Sequence, residues 1–94
     1  MKKNLYEKKA QIFKALSNPV RLEIIDFLLD GEKCVCQIVD KLNYEQPHIS
    51  KSLIKLKEAG LIKDRKDGLN VYYSLKICCM KEFFNCLNKI ISSS

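Results

Sequence analysis

Two cysteines separated by one residue, Cys34 and Cys36, are the side chains in this sequence best suited to chemistry. They lie in the stretch EKCVCQI, and Cys78, Cys79 and Cys86 follow near the carboxyl end. Thiolates bind soft metal ions and metalloids and undergo thiol–disulfide exchange. Cysteine is also a small apolar residue that is often buried without any chemistry. The pair is therefore a candidate disulfide, redox centre, metal site or piece of core.

A structural disulfide is the least favoured of these interpretations. Five cysteines cannot all pair within one chain. No apolar run approaches the ~20 residues of a membrane span, and no apolar signal-peptide segment follows the lysine-rich start, so we expect a cytoplasmic protein with no membrane partner. Thiols there are mostly reduced, and a bond across a single intervening residue is expected to be strained.

Size and charge narrow the class of protein. The chain has 94 residues, which is enough for one small domain spanning 1–94, with a modest core that dimerisation often reinforces. The formal net charge is +6 and the isoelectric point is near 9.1. Such a balance indicates an anionic partner, either nucleic acid or a membrane surface, although a basic protein without such a partner has the same charge.

The elements that must position the cysteines are mainly helices. Apolar spacing predicts a first helix over 5–16, and Asn18 with Pro19 is a typical helix start for a second over about 19–30, ended by Gly31. A short helix over about 34–42, the connection NYEQ and a helix from Pro47 to Gly60 follow. A short helix, a turn and a second helix fit the helix-turn-helix arrangement, here about 34–60.

The periodicity changes after Gly60. Leu69, Val71, Tyr73 and Leu75 alternate with polar or amphipathic residues, which predicts a strand, and the Asp67-Gly68 dipeptide predicts a hairpin with the segment 61–66. The predicted fold is therefore mainly α with a small β-hairpin, a winged helix-turn-helix with its wing at about 61–75. A final helix at about 77–91 has a broad apolar face, which we interpret partly as a dimer contact.

Polar side chains on the second helix of this motif form a candidate DNA-reading surface. With Ile49, Leu53 and Leu56 facing inward, short polar residues and cations face outward, and the wing adds further basic residues beside them. The predicted DNA contacts are Gln46, His48, Ser50, Lys51, Ser52, Lys55, Arg65, Lys66, Asn70 and Tyr72. The alternative is a solvated helix face and turn. His48, the only histidine, is better placed for DNA or solvent than for metal.

These motifs together resemble the ArsR/SmtB family of winged-helix metalloregulatory repressors. The resemblance covers about residues 12–75 and rests on ALSNPVRLEII, QPHISKSLIKLKEAGLI and GLNVYYSL in this order. It implies a homodimer built mainly from the first and last helices, and binding to an operator with two-fold symmetry. It also implies repression that an inducer relieves, with DNA contacts at the helix and wing positions named above other than Lys55 and Tyr72.

The resemblance also assigns a role to EKCVCQI. Glu32, Cys34, Val35 and Cys36 match the family's thiol metal box. As(III) and Sb(III) favour three thiolates, and soft divalent ions take three or four. The third cysteine of the arsenite-sensing pattern would fall at Val39, so we expect the remaining ligand from the carboxyl end. The predicted ligands are Cys34, Cys36, Cys78 and Cys79, with Cys86 less favoured.

Other functions stay open at this stage. The family's second type of metal site, built from Asp and His on the last helix, is not expected because that segment has Glu82 but no histidine. We expect no permanent cofactor and no enzyme activity, since a thiol-redox enzyme would need a Cys-X-X-Cys motif and a βαβ pattern. A redox or persulfide sensor that pairs Cys36 with Cys79 is an alternative, as is a regulator with purely structural cysteines. A winged helix for protein contacts alone is disfavoured by the basic face.

Overall fold

Over residues 2–93, which the computed structural model describes, the chain forms five helices and one three-stranded antiparallel sheet. In chain order these are α1 (Lys2–Leu16), α2 (Pro19–Leu28), β1 (Lys33–Cys34), α3 (Val35–Leu42), α4 (Gln46–Glu58), β2 (Ile62–Asp67), β3 (Asn70–Leu75) and α5 (Met80–Ser92). The predicted winged helix-turn-helix fold is confirmed. Most predicted boundaries lie within two residues of those observed, but α1 begins three residues earlier and α5 three residues later than expected.

The start of α2 shows how local sequence sets these elements. The Asn18 side chain accepts hydrogen bonds from the backbone N–H groups of Val20 and Arg21, at 3.0 and 3.2 Å. Pro19 occupies the first turn, where its missing N–H costs nothing. The Arg21 guanidinium donates back to the Ala15 carbonyl at 2.6 Å, which fixes α2 against the end of α1.

The sheet has one strand that the sequence analysis did not predict. β2 and β3 form the expected hairpin, with Asp67 opposite Asn70 and Gly68 at φ +63°, the left-handed region that a tight turn gives to glycine. Leu69, predicted to begin the strand, lies instead in the turn and is fully exposed. The additional strand β1 pairs with β3, so the strand order is β1-β3-β2.

The core lies between α2, α3, α4 and the beginning of β2. Its fully buried side chains are Ile24, Ile25, Leu28, Ile38, Ile49, Leu53, Leu56, Leu61 and Ile62. The three inward positions predicted for α4 are among them, which confirms the helical period used to find them. This core packs α4 against α2 and α3 and leaves the opposite face of α4 in solvent.

The first and last helices meet at an aromatic contact and carry apolar side chains with high solvent exposure. Phe13 of α1 meets Phe83 of α5 edge to face, with ring centroids 6.3 Å apart. The exposed large apolar residues on these two helices are Leu5, Tyr6, Ile12, Phe13, Ile90 and Ile91. None of the helices over residues 2–93 has the length and apolar character needed to cross a membrane.

Candidate nucleic-acid interface and cysteine site

The outward face of α4 presents most of the predicted DNA contacts to solvent. Gln46, His48, Lys51 and Lys55 are exposed, and Ser50 is half-buried. None of these lysines forms a salt bridge within residues 2–93. The face therefore offers both hydrogen-bonding groups near the helix start and unpaired cations further along, the combination that base edges and phosphates require.

Ser52 does not belong to this face. The exposed fraction of Ser52 is only 5%. It lies three residues after Ile49 and four residues before Leu56, and these spacings place all three side chains on the buried side of α4. The prediction that Ser52 contacts DNA is therefore wrong. A hydroxyl residue suggested an outward flank, but the helical period places this side chain against the core.

The turn before α4 positions His48. Asn43 ends α3 in the left-handed conformation, with φ 61°, and lets the chain reverse. The Tyr44 ring then meets the His48 ring edge to face at 5.4 Å. The Tyr44 hydroxyl donates to Glu23 of α2 at 2.6 Å, and this hydrogen bond raises the pKa of Tyr44. This anchor was not predictable from the sequence, because Tyr44 and Glu23 are 21 residues apart.

On the wing, Arg65, Lys66 and Asn70 are exposed and Tyr72 is half-buried. Arg65 lies opposite Tyr72 across the hairpin, and its guanidinium lies 4.8 Å above the Tyr72 ring. The β2 strand is also tied to α4 by a salt bridge of 2.9 Å between Lys57 and Asp64. The salt bridge thus joins the wing to the carboxyl-terminal half of α4.

A second group holds Arg65. The Glu32 carboxylate, in the connection before β1, accepts from Arg65 Nη2 at 2.8 Å and from Nε at 3.1 Å. The hydrogen bond from Arg65 lowers the pKa of Glu32 below its ordinary value and raises that of Arg65. Sequence reasoning recognised Glu32 only as part of the cysteine box. No local pattern connects it to a residue 33 positions away.

A groove of about 600 Å³ brings the cysteine segment next to the predicted DNA contacts. Its lining includes Cys36 of α3, Gln46 and Ser50 of α4, and Asn70 and Tyr73 of the wing. Ligands or covalent changes at Cys36 would therefore act within the same surface that carries the helix and wing contacts.

Cys34 lies at the junction of β1 and α3. It is buried and caps α3, with its sulfur accepting from the Gln37 N–H at 3.4 Å while its own N–H donates to Gln37 Oε1 at 2.8 Å. Cys36 is exposed, and the two residues are joined by a disulfide. Their Cα atoms are 5.4 Å apart, within the range that disulfides span. A disulfide was the least favoured interpretation of this pair, and the structure forms one where the chain passes from β1 into α3.

The other cysteines are not gathered around this pair within one chain. Cys78, Cys79 and Cys86 are exposed free thiols at the start and on the surface of α5. Among residues 2–93 there is no cluster of three or more His, Cys, Asp and Glu side chains arranged to hold a metal ion. A three-thiolate site using the predicted ligands would thus need movement or a second copy of the chain.

A short helix, a turn, a solvent-facing helix and a basic two-stranded wing define a winged helix-turn-helix DNA-binding domain. Residues 18–64 match the family model described as bacterial regulatory protein, arsR family. The chain belongs to this family, which consists of transcriptional regulators and not of enzymes.

Named relatives agree with this assignment. An uncharacterised helix-turn-helix transcriptional regulator of Methanocaldococcus jannaschii is 51% identical over 70 residues, covering 72% of this chain and 79% of the relative. The arsenical resistance operon repressor of Staphylococcus aureus is 34% identical over 89 residues, covering 95% of this chain and 86% of the relative. The homodimeric winged helix-turn-helix domain of Mb0332 from Mycobacterium bovis superposes with a TM-score of 0.85 at 30% identity, covering 97% and 84% of the two chains. The protein is accordingly an arsR-family DNA-binding transcriptional repressor.

Proposed function

We propose that the protein is a homodimeric repressor that binds operator DNA through α4 and the wing and leaves it when a thiophilic inducer binds its cysteines. The observation that carries the proposal is a row of residues across the sheet. Cys34 of β1 pairs with Tyr72 of β3, which pairs with Arg65 of β2. Cys34 is thus one strand away from Tyr72 and two strands away from Arg65, which are both proposed DNA contacts.

The DNA-binding part rests on exposure and charge. The proposed contacts are Gln46, His48, Ser50, Lys51 and Lys55 of α4 with Arg65, Lys66, Asn70 and Tyr72 of the wing. Each copy carries a net charge of +6, and a dimer would carry twice that. Because phosphate contacts release counterions, we expect the affinity for DNA to fall steeply as salt is raised.

The proposed dimer interface is the apolar surface of α1 and α5. It presents aromatic and aliphatic side chains to solvent in the monomer, including Phe13, which is 61% exposed. Surfaces of this kind indicate protein contacts. The Mb0332 domain, with the same fold, is described as homodimeric. A two-fold dimer would place the two α4 helices about one turn of DNA apart.

The proposed inducer site begins with reduced Cys34 and Cys36. As(III), Sb(III) or a soft divalent ion would take these two thiolates and a third from Cys78 or Cys79, with Cys86 less favoured, in the same or the partner subunit. Cys34 caps α3 and ends β1, so drawing its sulfur to a metalloid would break the cap and shift the strand. The naming of the S. aureus relative as an arsenical resistance repressor supports this class of inducer.

A redox repressor of the same fold is the second candidate, and the paired Cys34 and Cys36 favour it. Oxidation of two thiols to a disulfide releases two protons and two electrons to an oxidant such as a peroxide or a persulfide. A bond between Cys36 and Cys79 would be the alternative pairing. In either case no metalloid would be required for release from DNA.

One titration separates these functions. A duplex selected from a random library by the wild-type protein is followed by fluorescence anisotropy while As(III), Sb(III), Cd(II), Zn(II) or a persulfide donor is added to fully reduced protein. The variants are Cys34→Ser, Cys36→Ser, Cys78→Ser, Cys79→Ser and Cys86→Ser, the last of which tests the less favoured ligand. We expect a metalloid or soft metal to release DNA from the wild type and from Cys86→Ser but not from the first two variants.

The alternative results are equally informative. Release by the persulfide donor alone, reversed by a dithiol reductant, supports the redox function. Release that survives loss of both Cys34 and Cys36 places the site on α5 alone. If no compound releases DNA, the sensor proposal fails and the cysteines are structural.

A further inference from the structure

Arg65 is the one proposed DNA-contacting cation that another part of the described chain already holds. Lys51, Lys55 and Lys66 form no salt bridge within residues 2–93, whereas Arg65 pairs with Glu32 at 2.8 Å and lies 3.7 Å from Asp67. The pair joins two separate elements, the connection before β1 and the strand β2 of the wing. It therefore differs from an ion pair between neighbours on one helix.

The geometry of the pair is the one that arginine uses for phosphate. Two donors of the guanidinium, Nε and Nη2, each meet one oxygen of the Glu32 carboxylate. A DNA phosphate presents two oxygens to the same fork of donors. A phosphate that binds Arg65 in this way must displace Glu32, because both would use the same N–H groups.

The guanidinium is held in place from a second side as well. It stacks on the Tyr72 ring at 4.8 Å, and Tyr72 is the cross-strand partner of both Arg65 and Cys34. Arg65 nevertheless remains about half exposed, with 53% of its side chain in solvent. Tyr72 can thus keep the guanidinium at the surface while its anionic partner is exchanged.

We propose that Glu32 is a positioning residue that occupies Arg65 as an internal substitute for a DNA phosphate, so that the wing exchanges Glu32 for phosphate when it binds DNA. This inference rests on the proposed function, specifically on Arg65 as a DNA contact. Glu32 then limits the affinity of the wing. Since it lies two residues before Cys34, the exchange also links the wing to the start of the cysteine segment.

A double-mutant cycle tests the exchange without any inducer. Reduced wild type, Glu32→Gln, Arg65→Gln and the double variant are titrated against a labelled duplex of arbitrary sequence and roughly 30 base pairs, about three helical turns. We expect Arg65→Gln to weaken binding and Glu32→Gln to strengthen it by about two- to fivefold per wing, the range of an exposed ion pair. In the Arg65→Gln background, Glu32→Gln should have no more effect than the loss of a negative charge elsewhere on the surface.

Glu45→Gln is the matched control for simple loss of a negative charge. Glu45 is exposed at the start of α4 and its side chain makes no cap hydrogen bond. Its substitution should change the affinity equally whether residue 65 is Arg or Gln. Glu32→Asp, which keeps a carboxylate, should stay closer to wild type than Glu32→Gln does.

The failures are distinguishable. The exchange is refuted, while Arg65 remains a DNA contact, if Glu32→Gln binds DNA no more tightly than wild type. It is also refuted if Glu32→Gln raises the affinity for DNA equally in the wild type and in the Arg65→Gln variant. If Arg65→Gln leaves the affinity unchanged and Lys51→Gln weakens it, the wing contact and the exchange both fail but the α4 contact stands. If neither Arg65→Gln nor Lys51→Gln weakens binding, the proposed DNA surface itself is wrong.

Discussion

Replacing Phe13 with alanine should dissociate the dimer that we propose. Phe13 is 61% exposed in the single chain, and a phenylalanine side chain of about 200 Å² would leave about 120 Å² for a partner to cover. At about 25 cal/mol per Å², full coverage contributes about 3 kcal/mol per protomer and about 6 kcal/mol per dimer. Partial coverage lowers this sum, so we expect the dimer dissociation constant to rise between about 100- and 10,000-fold.

Sedimentation equilibrium over a range of protein concentrations measures this constant directly. Leu69→Ala is the matched control, because Leu69 is a fully exposed apolar residue on the wing, away from α1 and α5. Far-ultraviolet circular dichroism checks that Phe13→Ala retains its helices, since Phe13 also contacts Phe83 within the chain. A Phe13→Ala dimer as tight as wild type, or equal weakening by Leu69→Ala, would refute the assignment of this surface.

Three further substitutions test the fold at fixed protein concentration. Asn18→Ala removes the cap of α2 and should lower the free energy of unfolding in urea by about 1 kcal/mol; an unchanged midpoint would contradict the cap. Gly68→Ala places a side chain at φ +63° and should also cost about 1 kcal/mol, by the same measurement, unless the turn rearranges. The hydrogen bond from Lys57 lowers the pKa of Asp64 below 3.8. The stability that this ion pair contributes is therefore fully present above pH 3.8 and is lost as the pH falls through the lowered pKa. Asp64→Asn should therefore lower the melting temperature at neutral pH, by an amount that shrinks as the pH falls below 3.8 and through the lowered pKa; a loss that is the same over the whole pH range would argue against the ion pair.

The helices and the hairpin were predictable because their signals are local. The apolar period of α4, the Asn18-Pro19 start of α2 and the Asp67-Gly68 turn each lie within one element, and the structure confirms all three. The two-residue strand β1 was not predictable, since it is too short to show alternation and exists only through pairing with β3. Ser52 was misassigned because its residue type was given more weight than its position in the helical period.

The candidate site also has one part that the sequence predicts and another part that it does not. The exposed face of α4 follows from the sequence, because burial of one helix side determines which residues remain in solvent. The pairing of Glu32 with Arg65, the contact of Tyr44 with His48 and the alignment of Cys34 with Tyr72 do not follow from it. Each joins residues that are brought together only when the sheet and the helices pack.

The sequence by itself determined the class of this protein: a small basic winged helix-turn-helix with a cysteine pair before its DNA-reading helix. Periodicity, caps and turn residues act over a few neighbouring positions, so the sequence alone is enough to recognise them. Only the tertiary structure decided how the cysteine segment meets the wing. The third strand places Cys34 in register with Tyr72 and brings Glu32 to Arg65, and such contacts depend on packing between distant segments that no local pattern encodes.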